Sequence, residues 1–233
     1  MALSSSTLFH FTSKMNTLLS ILENGFWPRY CVEKGWRNAD FALPMVCFCD
    51  IPLAQISEHT ESYGKYGIGV SAEWAKQLKT LSPVQYISQN SALYDKVERE
   101  LTKLKNGKYD ELDSEFLSRA KKVSIEIKDN VAKNKTKKYY DEREWRYVPD
   151  MPSEQQIVFV GKQKDRNTKT LSERTKEMKL KLEYDKIRYL IVPNQTMRKK
   201  LIKELTDKMD LEQTKLYLLV SRIINLDLMK KDF

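Results

Sequence analysis

Histidine, glycine and cysteine are scarce in this chain of 233 residues, which contains 2 His, 7 Gly and 3 Cys. An odd, small number of cysteines argues against a disulfide framework, so we expect a reducing, cytoplasmic compartment. No apolar run approaches the roughly 20 residues that span a bilayer, and the first residues lack the pattern of a secretion signal. The few glycines form neither a Walker motif nor a Rossmann fingerprint, which excludes P-loop and dehydrogenase interpretations.

Positive charge is plentiful but unevenly placed, with 41 Lys/Arg against 32 Asp/Glu and a net charge of +9. Residues 1–75 hold five Lys/Arg and seven Asp/Glu, which leaves 36 against 25 in the rest of the chain. This asymmetry indicates that the later part meets an acidic surface, either nucleic acid or an acidic protein. The alternative is a solvated, lysine-rich surface without a dedicated partner.

Strand and helix patterns alternate along most of the chain. A strand at 7–12 is followed by a helix at 14–24, for which Ser13 is the expected N-cap and Gly25 the stop. The remaining patterns predict strands at about 45–49, 66–70, 84–87, 143–148, 156–161, 187–192 and 215–225, and helices near 52–59, 71–78, 171–184 and 195–208. Strands separated by helices predict an α/β (α+β) fold with a mixed sheet and surrounding helices, in one domain over 1–233.

The stretch at about 92–138 differs from its surroundings, because it is polar and shows helical periodicity. We interpret it as a helical insertion within the domain. Its second half is basic through seven lysines: Lys121, Lys122, Lys128, Lys133, Lys135, Lys137 and Lys138.

Both histidines fall in candidate sites. His10 lies between Phe9 and Phe11 in a predicted strand, so its side chain is expected on the face opposite the two aromatic rings. That face could line a ligand cleft, or His10 could be half-buried and bonded to a backbone carbonyl. The second histidine, His59, follows Cys47 and Cys49. Zinc sites use four protein ligands, or three and a water molecule, and here the Cys-x-Cys has no second paired cluster and only one histidine nearby. We therefore expect buried structural cysteines and no metal.

A third candidate site is acidic. If residues 142–147 are extended, Glu142, Glu144 and Arg146 share one face of the strand. Two carboxylates beside an arginine suggest a polar site, because an apolar core would not tolerate them. The alternative is an ion-pair ladder on an exposed strand.

Several blocks of the chain resemble the AbiGi abortive-infection family. The most specific part is Cys47–Leu53, within the block Pro44–Leu53 with His59. The other blocks are Leu8–Thr12, Gly25–Tyr30, Tyr63–Gly69, Tyr139–Pro149, Tyr189–Pro193 and Ser221–Ile224. The resemblance covers most of the chain outside 92–138. It implies a role in bacterial defence against phage, beside a toxin or antitoxin partner protein, and the family is commonly described as an antitoxin.

A more distant resemblance concerns ADP-ribosyltransferase folds, including the DarT toxins. The strand with His10 and Thr12, followed by a leucine-rich helix, is similar to the start of these folds. The resemblance implies a split β-sheet that binds NAD, with no metal. It implies NAD-binding roles for His10, Thr12, Arg29 and either Tyr63 or Tyr66, and it makes Glu144 the catalytic residue, with Glu142 orienting the acceptor. Glu144 would stabilise the oxocarbenium-like state formed when the nicotinamide–ribose bond breaks.

Three functions follow as hypotheses. The first is a phage-defence toxin that transfers ADP-ribose from NAD to a macromolecule, with RNA or single-stranded DNA as the expected acceptor. The second is a catalytically inactive antitoxin or regulatory binding partner. The third is a sequence-nonspecific nucleic-acid binder, which rests on net charge alone.

Overall fold

The computed structural model describes residues 5–33, 36, 40–108, 111–122, 124–128, 134–160 and 168–232. The strands are β1 Thr7–Thr12, β2 Arg29–Glu33, β3 Phe41–Cys49, β4 Tyr66–Ser71, β5 Leu81–Pro83, β6 Gln85–Ile87, β7 Ala120–Lys122, β8 Ser124–Lys128, β9 Asn134–Lys138, β10 Glu144–Tyr147, β11 Val158–Phe159, β12 Ile187–Val192 and β13 Ile223–Asn225. The helices are α1 Met15–Asn24, α2 Ile56–Tyr63, α3 Ala72–Lys76, α4 Ala92–Lys105, α5 Glu111–Arg119, α6 Ser153–Gln156, α7 Thr168–Ser172, α8 Gln195–Lys208, α9 Gln213–Ser221 and α10 Leu226–Asp232.

Contacts between residues divide the chain into two compact units. The first unit comprises Met1–Trp27, Phe48–Lys79 and Lys179–Phe233, and the second comprises Pro28–Cys47 and Thr80–Met178. Both combine helices with mostly antiparallel strand pairs, which confirms the α+β class. The single-domain organisation and the split sheet of an ADP-ribosyltransferase stay predictions.

The first unit is organised around strand β1. This strand pairs antiparallel with β4 along its whole length, and Phe9 pairs with Cys49 at the end of β3. On the far side of β4 lies β12, which is antiparallel to β4 and parallel to β13. A buried apolar cluster that includes Phe9, Phe11 and Ile191 covers one face of this sheet.

Helix α1 follows β1 closely and buries Met15, Leu18, Ile21 and Leu22. It ends where predicted, since Gly25 adopts a φ of 79° and donates its N–H to Ile21 at 2.8 Å. The predicted N-cap was wrong by one residue: Lys14 occupies that position, without a side-chain hydrogen bond.

Two glycines in β4 make room for aromatic rings of β1. Gly67 and Gly69 lie opposite Phe11 and Phe9 in the strand register. A Cβ atom on either glycine would lie 2.8 Å from the ring of its partner. The Gly67-Ile68-Gly69 sequence is therefore a packing requirement of the sheet.

The second unit contains β3 residues Phe41–Cys47, which pair antiparallel with β2 and, at their start, with β11. Strand β10 follows β3 in the strand order and pairs antiparallel with β5. Helices α4 and α5 complete the core, to which they contribute Tyr94, Val97, Leu101, Leu104 and Leu117.

Three predicted elements differ from the structure. The helix predicted near 171–184 was wrong, because α7 ends at Ser172 and is followed only by the short 3₁₀ turns Glu173–Thr175 and Tyr184–Lys186. The stretch 92–138 is helical only through α4 and α5, after which β7, β8 and β9 are strands, so the prediction of a helical second half was wrong. The stretch 215–225 was predicted as one strand, but α9 occupies it up to Ser221 and only Ile223–Asn225 is extended. A short apolar run such as that of α9 fits either a strand or a buried helix, so periodicity alone does not distinguish them.

Candidate functional site

The predicted site residues fall in both units. His10, Thr12, Tyr63 and Tyr66 belong to the first unit, whereas Arg29, Glu142 and Glu144 belong to the second. Within the second unit the structure brings Glu142 and Glu144 together. Arg29 is exposed on β2, where burial lowers the pKa of its guanidinium group and the charge of Glu173 raises it.

His10 lies on the predicted face of β1. Phe9 and Phe11 stack on each other on the opposite face, at 6.0 Å between ring centroids. The half-buried imidazole packs against the rings of Phe26 at 5.2 Å and Phe48 at 5.8 Å. The environment of His10 is therefore largely aromatic.

The two candidate tyrosines have different surroundings. Tyr66 is half-buried at the start of β4, where it pairs with Thr12. Tyr63 ends α2, is 40% exposed and stacks on His59 at 4.4 Å between ring centroids. His59 in turn packs against Phe11 at 5.5 Å. Of the two, Tyr63 presents more ring surface to solvent.

The acidic candidates form part of a buried ion cluster, which we define as Glu33, Lys121, Glu142, Glu144 and Arg146. The Lys121 ammonium lies 2.8 Å from Glu142 and 2.5 Å from Glu144. Arg146 donates through Nε to Glu144 at 2.8 Å and through Nη2 to Glu33 at 2.5 Å. With three carboxylates and two cations, the cluster carries a formal charge of −1.

Local backbone geometry explains how the carboxylates converge. Glu144 and Arg146 are two residues apart on β10, so their side chains leave the same face of the strand. Glu142 instead ends a short 3₁₀ turn, and Arg143 after it is left-handed with a φ of 46°. The condition that 142–147 is extended therefore does not hold at Glu142 and Arg143, and the strand predicted at about 143–148 is confirmed over Glu144–Tyr147.

Burial rules out the exposed ladder that was the alternative interpretation. Arg146 is 0% exposed, and Glu142 and Glu144 are 8% and 6% exposed. The core tolerates these charges because they are paired with one another and with other polar groups. Arg146 also donates to the Ser118 carbonyl at 3.1 Å.

Two tyrosines complete the surroundings of the cluster. The Tyr86 hydroxyl accepts the backbone N–H of Glu144 at 2.8 Å. The Lys121 ammonium lies 4.5 Å from the centre of the Tyr139 ring, within cation–π range.

The ion pairs determine the protonation states. Burial alone would raise the pKa of Glu144, but the charges of Arg146 and Lys121 and their hydrogen bonds outweigh burial and hold that pKa at about 2. Burial would likewise lower the pKa of Arg146, yet Glu33 and Glu144 raise it above its ordinary value. Glu144 is therefore ionised near neutral pH, which suits electrostatic stabilisation of a cation and excludes a role as proton donor.

Lys121 and Glu33 were missed as site residues by the sequence interpretation. Lys121 was noticed only as one of seven lysines of the basic stretch, and its partners Glu142 and Glu144 are 21 and 23 residues away. Glu33 is 113 residues from Arg146. Contacts of such separation leave no local pattern in the sequence.

The surroundings of Cys47 and Cys49 differ. Among the described residues, no group of three or more His, Cys, Asp or Glu side chains is placed to hold a metal ion. Cys49 is buried in the apolar cluster of the first unit. Cys47 donates a hydrogen bond to Glu144, and burial followed by the charge of Glu144 raises the pKa of its thiol well above the ordinary value. A thiol of this kind is a poor nucleophile.

No helix in the described part of the chain is both long and apolar enough to cross a membrane.

Comparison with known proteins identifies the family. A family described as "Putative abortive phage resistance protein AbiGi, antitoxin" matches residues 24–193, which include all five members of the ion cluster. The "Abortive phage resistance protein AbiGi" of Lactococcus lactis subsp. cremoris is 29% identical over 83% of this chain and 90% of that protein. No solved structure matches the chain. Because the family match spans well over half of the sequence, the chain belongs to the AbiGi family.

Proposed function

We propose that this chain is the antitoxin, or regulatory binding protein, of a toxin–antitoxin pair that acts in abortive infection. The description of the matching family as an antitoxin supports this role, and the Lactococcus relative is named for phage resistance. A protein of this kind acts by binding its partner, so it needs a stable surface and no reactive group.

The state of Glu144 is the observation that carries the proposal. Its carboxylate contacts two cations, Lys121 and Arg146, and is almost completely buried. A carboxylate held in this way stabilises the second unit and has little capacity left for a substrate. The ion cluster is best explained as part of the scaffold of a binding protein.

The experiment is a growth assay in a bacterial host. The protein encoded by the adjacent gene is expressed alone and together with this chain, and its co-expression with an empty vector is the control. In a separate culture this chain is expressed alone. We expect growth arrest by the neighbouring protein, rescue by co-expression, and normal growth with this chain alone. Arrest of growth by this chain alone would contradict the antitoxin role.

A second proposal is that the chain is an NAD-dependent ADP-ribosyltransferase, and one observation favours it. Glu144 has a pKa of about 2 and is therefore ionised, as stabilisation of an oxocarbenium-like state requires. Glu142 shares the same lysine. In this proposal Glu144 is catalytic, Glu142 orients the acceptor, and RNA or single-stranded DNA receives the ADP-ribose.

Labelled NAD distinguishes the two proposals. The purified chain is incubated with labelled NAD and cell extract, and label is sought in nuclease-sensitive and protease-sensitive material. The transferase proposal predicts transfer that falls by orders of magnitude in Glu144→Gln and is unchanged in Glu73→Gln, a control at an exposed position of α3. If no label is transferred and calorimetry detects no binding of NAD to the chain, only the antitoxin proposal remains.

A further inference from the structure

Helix α9 in the first unit carries an unusual amount of apolar surface. Its sequence contains the apolar run Leu216–Val220, of which only Leu219 is buried. Tyr217 is 62% exposed, more than any other large hydrophobic side chain in the described ranges. Leu216, Leu218 and Val220 are half-buried.

Helical geometry explains why part of this surface stays exposed. Successive residues are rotated by about 100°, so a run of this length surrounds the helix. Only one side of α9 packs inward, at Leu219, and Tyr217 lies roughly on the opposite side. A surface helix normally turns polar residues outward, whereas a helix that is apolar all round is normally buried. Exposed apolar surface of this kind marks interaction sites.

Two arginines lie beside this helix. Arg222 follows the last residue of α9 and donates to the carbonyls of Tyr184 at 2.9 Å and Asp185 at 3.3 Å. These bonds orient its guanidinium group. Arg188 on β12 is exposed, and two residues later on this strand the Leu190 N–H donates to the Arg222 carbonyl at 2.9 Å. Burial and the charge of Arg188 lower the pKa of Arg222, and the charge of Asp185 raises it. Two neighbouring guanidinium groups favour the approach of an anion.

The wider surroundings are also basic. Helix α8 packs against α9 and exposes Lys199, Lys200 and Lys203. Over residues 183–222 there are nine Lys/Arg and six Asp/Glu, a balance of +3. The electrostatic complement of this region is an acidic molecule.

We propose that the α9 surface, defined as Leu216, Tyr217, Leu218, Val220, Arg188 and Arg222, binds an acidic, amphipathic segment of the partner protein. This inference rests on the proposed antitoxin function and adds where the partner binds. Tyrosine and arginine dominate the energetics of protein interfaces, and arginine pairs with carboxylates through two hydrogen bonds.

The composition of the surface favours an acidic protein over two other occupants. Leucine and valine side chains offer nothing to a phosphate backbone, so nucleic acid could use the arginines and the Tyr217 ring but would leave the aliphatic part of the surface without a partner. A second copy of this chain, docked through a twofold contact, would bring identical arginine pairs toward each other. An acidic segment with apolar side chains matches both parts of the surface.

The test is calorimetric binding of the purified protein from the adjacent gene to the full chain. Tyr217→Ser is expected to weaken binding roughly 30-fold or more, as loss of an interface hot spot does. Its matched control is Tyr140→Ser, which removes a tyrosine that is 44% exposed in the second unit and should leave affinity unchanged. Because Tyr217 is exposed, both variants should keep the wild-type circular dichroism spectrum.

A second pair of variants tests the charged part. Arg188→Gln is expected to slow association and to reduce its dependence on salt, because surface charges act mainly on the association rate. The control is Arg99→Gln, at an exposed position of α4, which should change neither the association rate nor its dependence on salt.

The outcomes separate the two proposals. If the wild-type chain does not bind the neighbouring protein, the antitoxin function fails and this inference fails with it. If the wild type binds and Tyr217→Ser binds equally well, only the location on α9 is overturned. A wild-type dimer that Tyr217→Ser converts to a monomer, or RNA binding that this variant abolishes, would likewise overturn the acidic-protein occupant.

Discussion

Arg146 donates through Nε to a carboxylate oxygen of Glu144, two residues earlier on β10, at 2.8 Å. Both side chains are buried, and each also contacts a second charged residue from elsewhere in the second unit: Glu33 for Arg146 and Lys121 for Glu144. The pair thus connects β2, β7 and β10 through charge. Its integrity should determine the stability of the second unit, whatever the protein binds.

Removing the arginine tests this dependence. Arg146→Met removes this cation from the buried Glu144 and the half-buried Glu33, and the loss of one partner from a buried pair costs about 3–5 kcal/mol. We expect a decrease of this size in the free energy of unfolding, measured by urea denaturation. The control is Lys103→Met, which removes an exposed ion pair with Glu100 on α4 and should cost less than about 1 kcal/mol. Equal losses in the two variants would contradict the importance of the cluster.

Acid should destabilise the protein through Glu144. Its pKa is about 2 in the folded chain against an ordinary 4.5, so the unfolded chain takes up the proton first. The stabilisation, on the order of 3 kcal/mol, is complete above about pH 4.5 and is lost as the pH falls toward 2.

Unfolding free energies measured by urea denaturation between pH 6 and pH 2.5 check this expectation. Glu144→Gln has no carboxyl group at this position, so its free energy of unfolding should fall less steeply over the same range. Parallel pH profiles for the two proteins would exclude Glu144 as the source.

The Tyr86 hydroxyl, which accepts the backbone N–H of Glu144, should contribute to the stability of the folded chain. Tyr86→Phe removes the acceptor of the Glu144 N–H and leaves that donor without its partner at 2.8 Å. An unsatisfied buried donor costs about 1–3 kcal/mol. Tyr140→Phe, at a site that is 44% exposed, should change thermal unfolding little. If both variants unfold at the wild-type temperature, water replaces the lost bond.

Strand β4 should not accept larger residues opposite β1. Gly67→Ala places a methyl group 2.8 Å from the Phe11 ring, which is packed between Phe9 and His59. Overpacking of this kind costs about 1–3 kcal/mol. In the Gly67→Ala background, Phe11→Leu should lower the free energy of unfolding by less than it does in the wild-type protein. A double-mutant cycle is therefore expected to give a favourable coupling energy between the two substitutions. Additive effects would mean that the ring moves aside freely.

Features determined by neighbouring residues were predictable from the sequence. The alternation of β1, the apolar stripe of α1 and the glycine that ends it each depend on residues within a few positions. For the same reason the opposite orientations of His10 and Phe9 were correctly predicted. The Cys47 and Cys49 strand was also recognised, and the structure extends it back to Phe41.

Features determined by distant partners were not predictable. The sequence indicated the acidic pair as a candidate site, but not its buried contacts with Lys121 and, through Arg146, with Glu33, which come from separate strands. The second half of the basic stretch was predicted as helical, although Ile125 and Ile127 alternate with polar residues as a strand requires. The abundance of lysine obscured this alternation.

The left-handed backbone of Arg143 links conformation to charge. A non-glycine residue in this region costs about 1–2 kcal/mol, and here the residues on both sides, Glu142 and Glu144, contact one ammonium group. Replacing that lysine with methionine should therefore allow residue 143 to return to an ordinary φ angle. Chemical shifts of its amide in a nuclear magnetic resonance spectrum would report the release. Such a release would make this salt bridge a torsional restraint on the main chain.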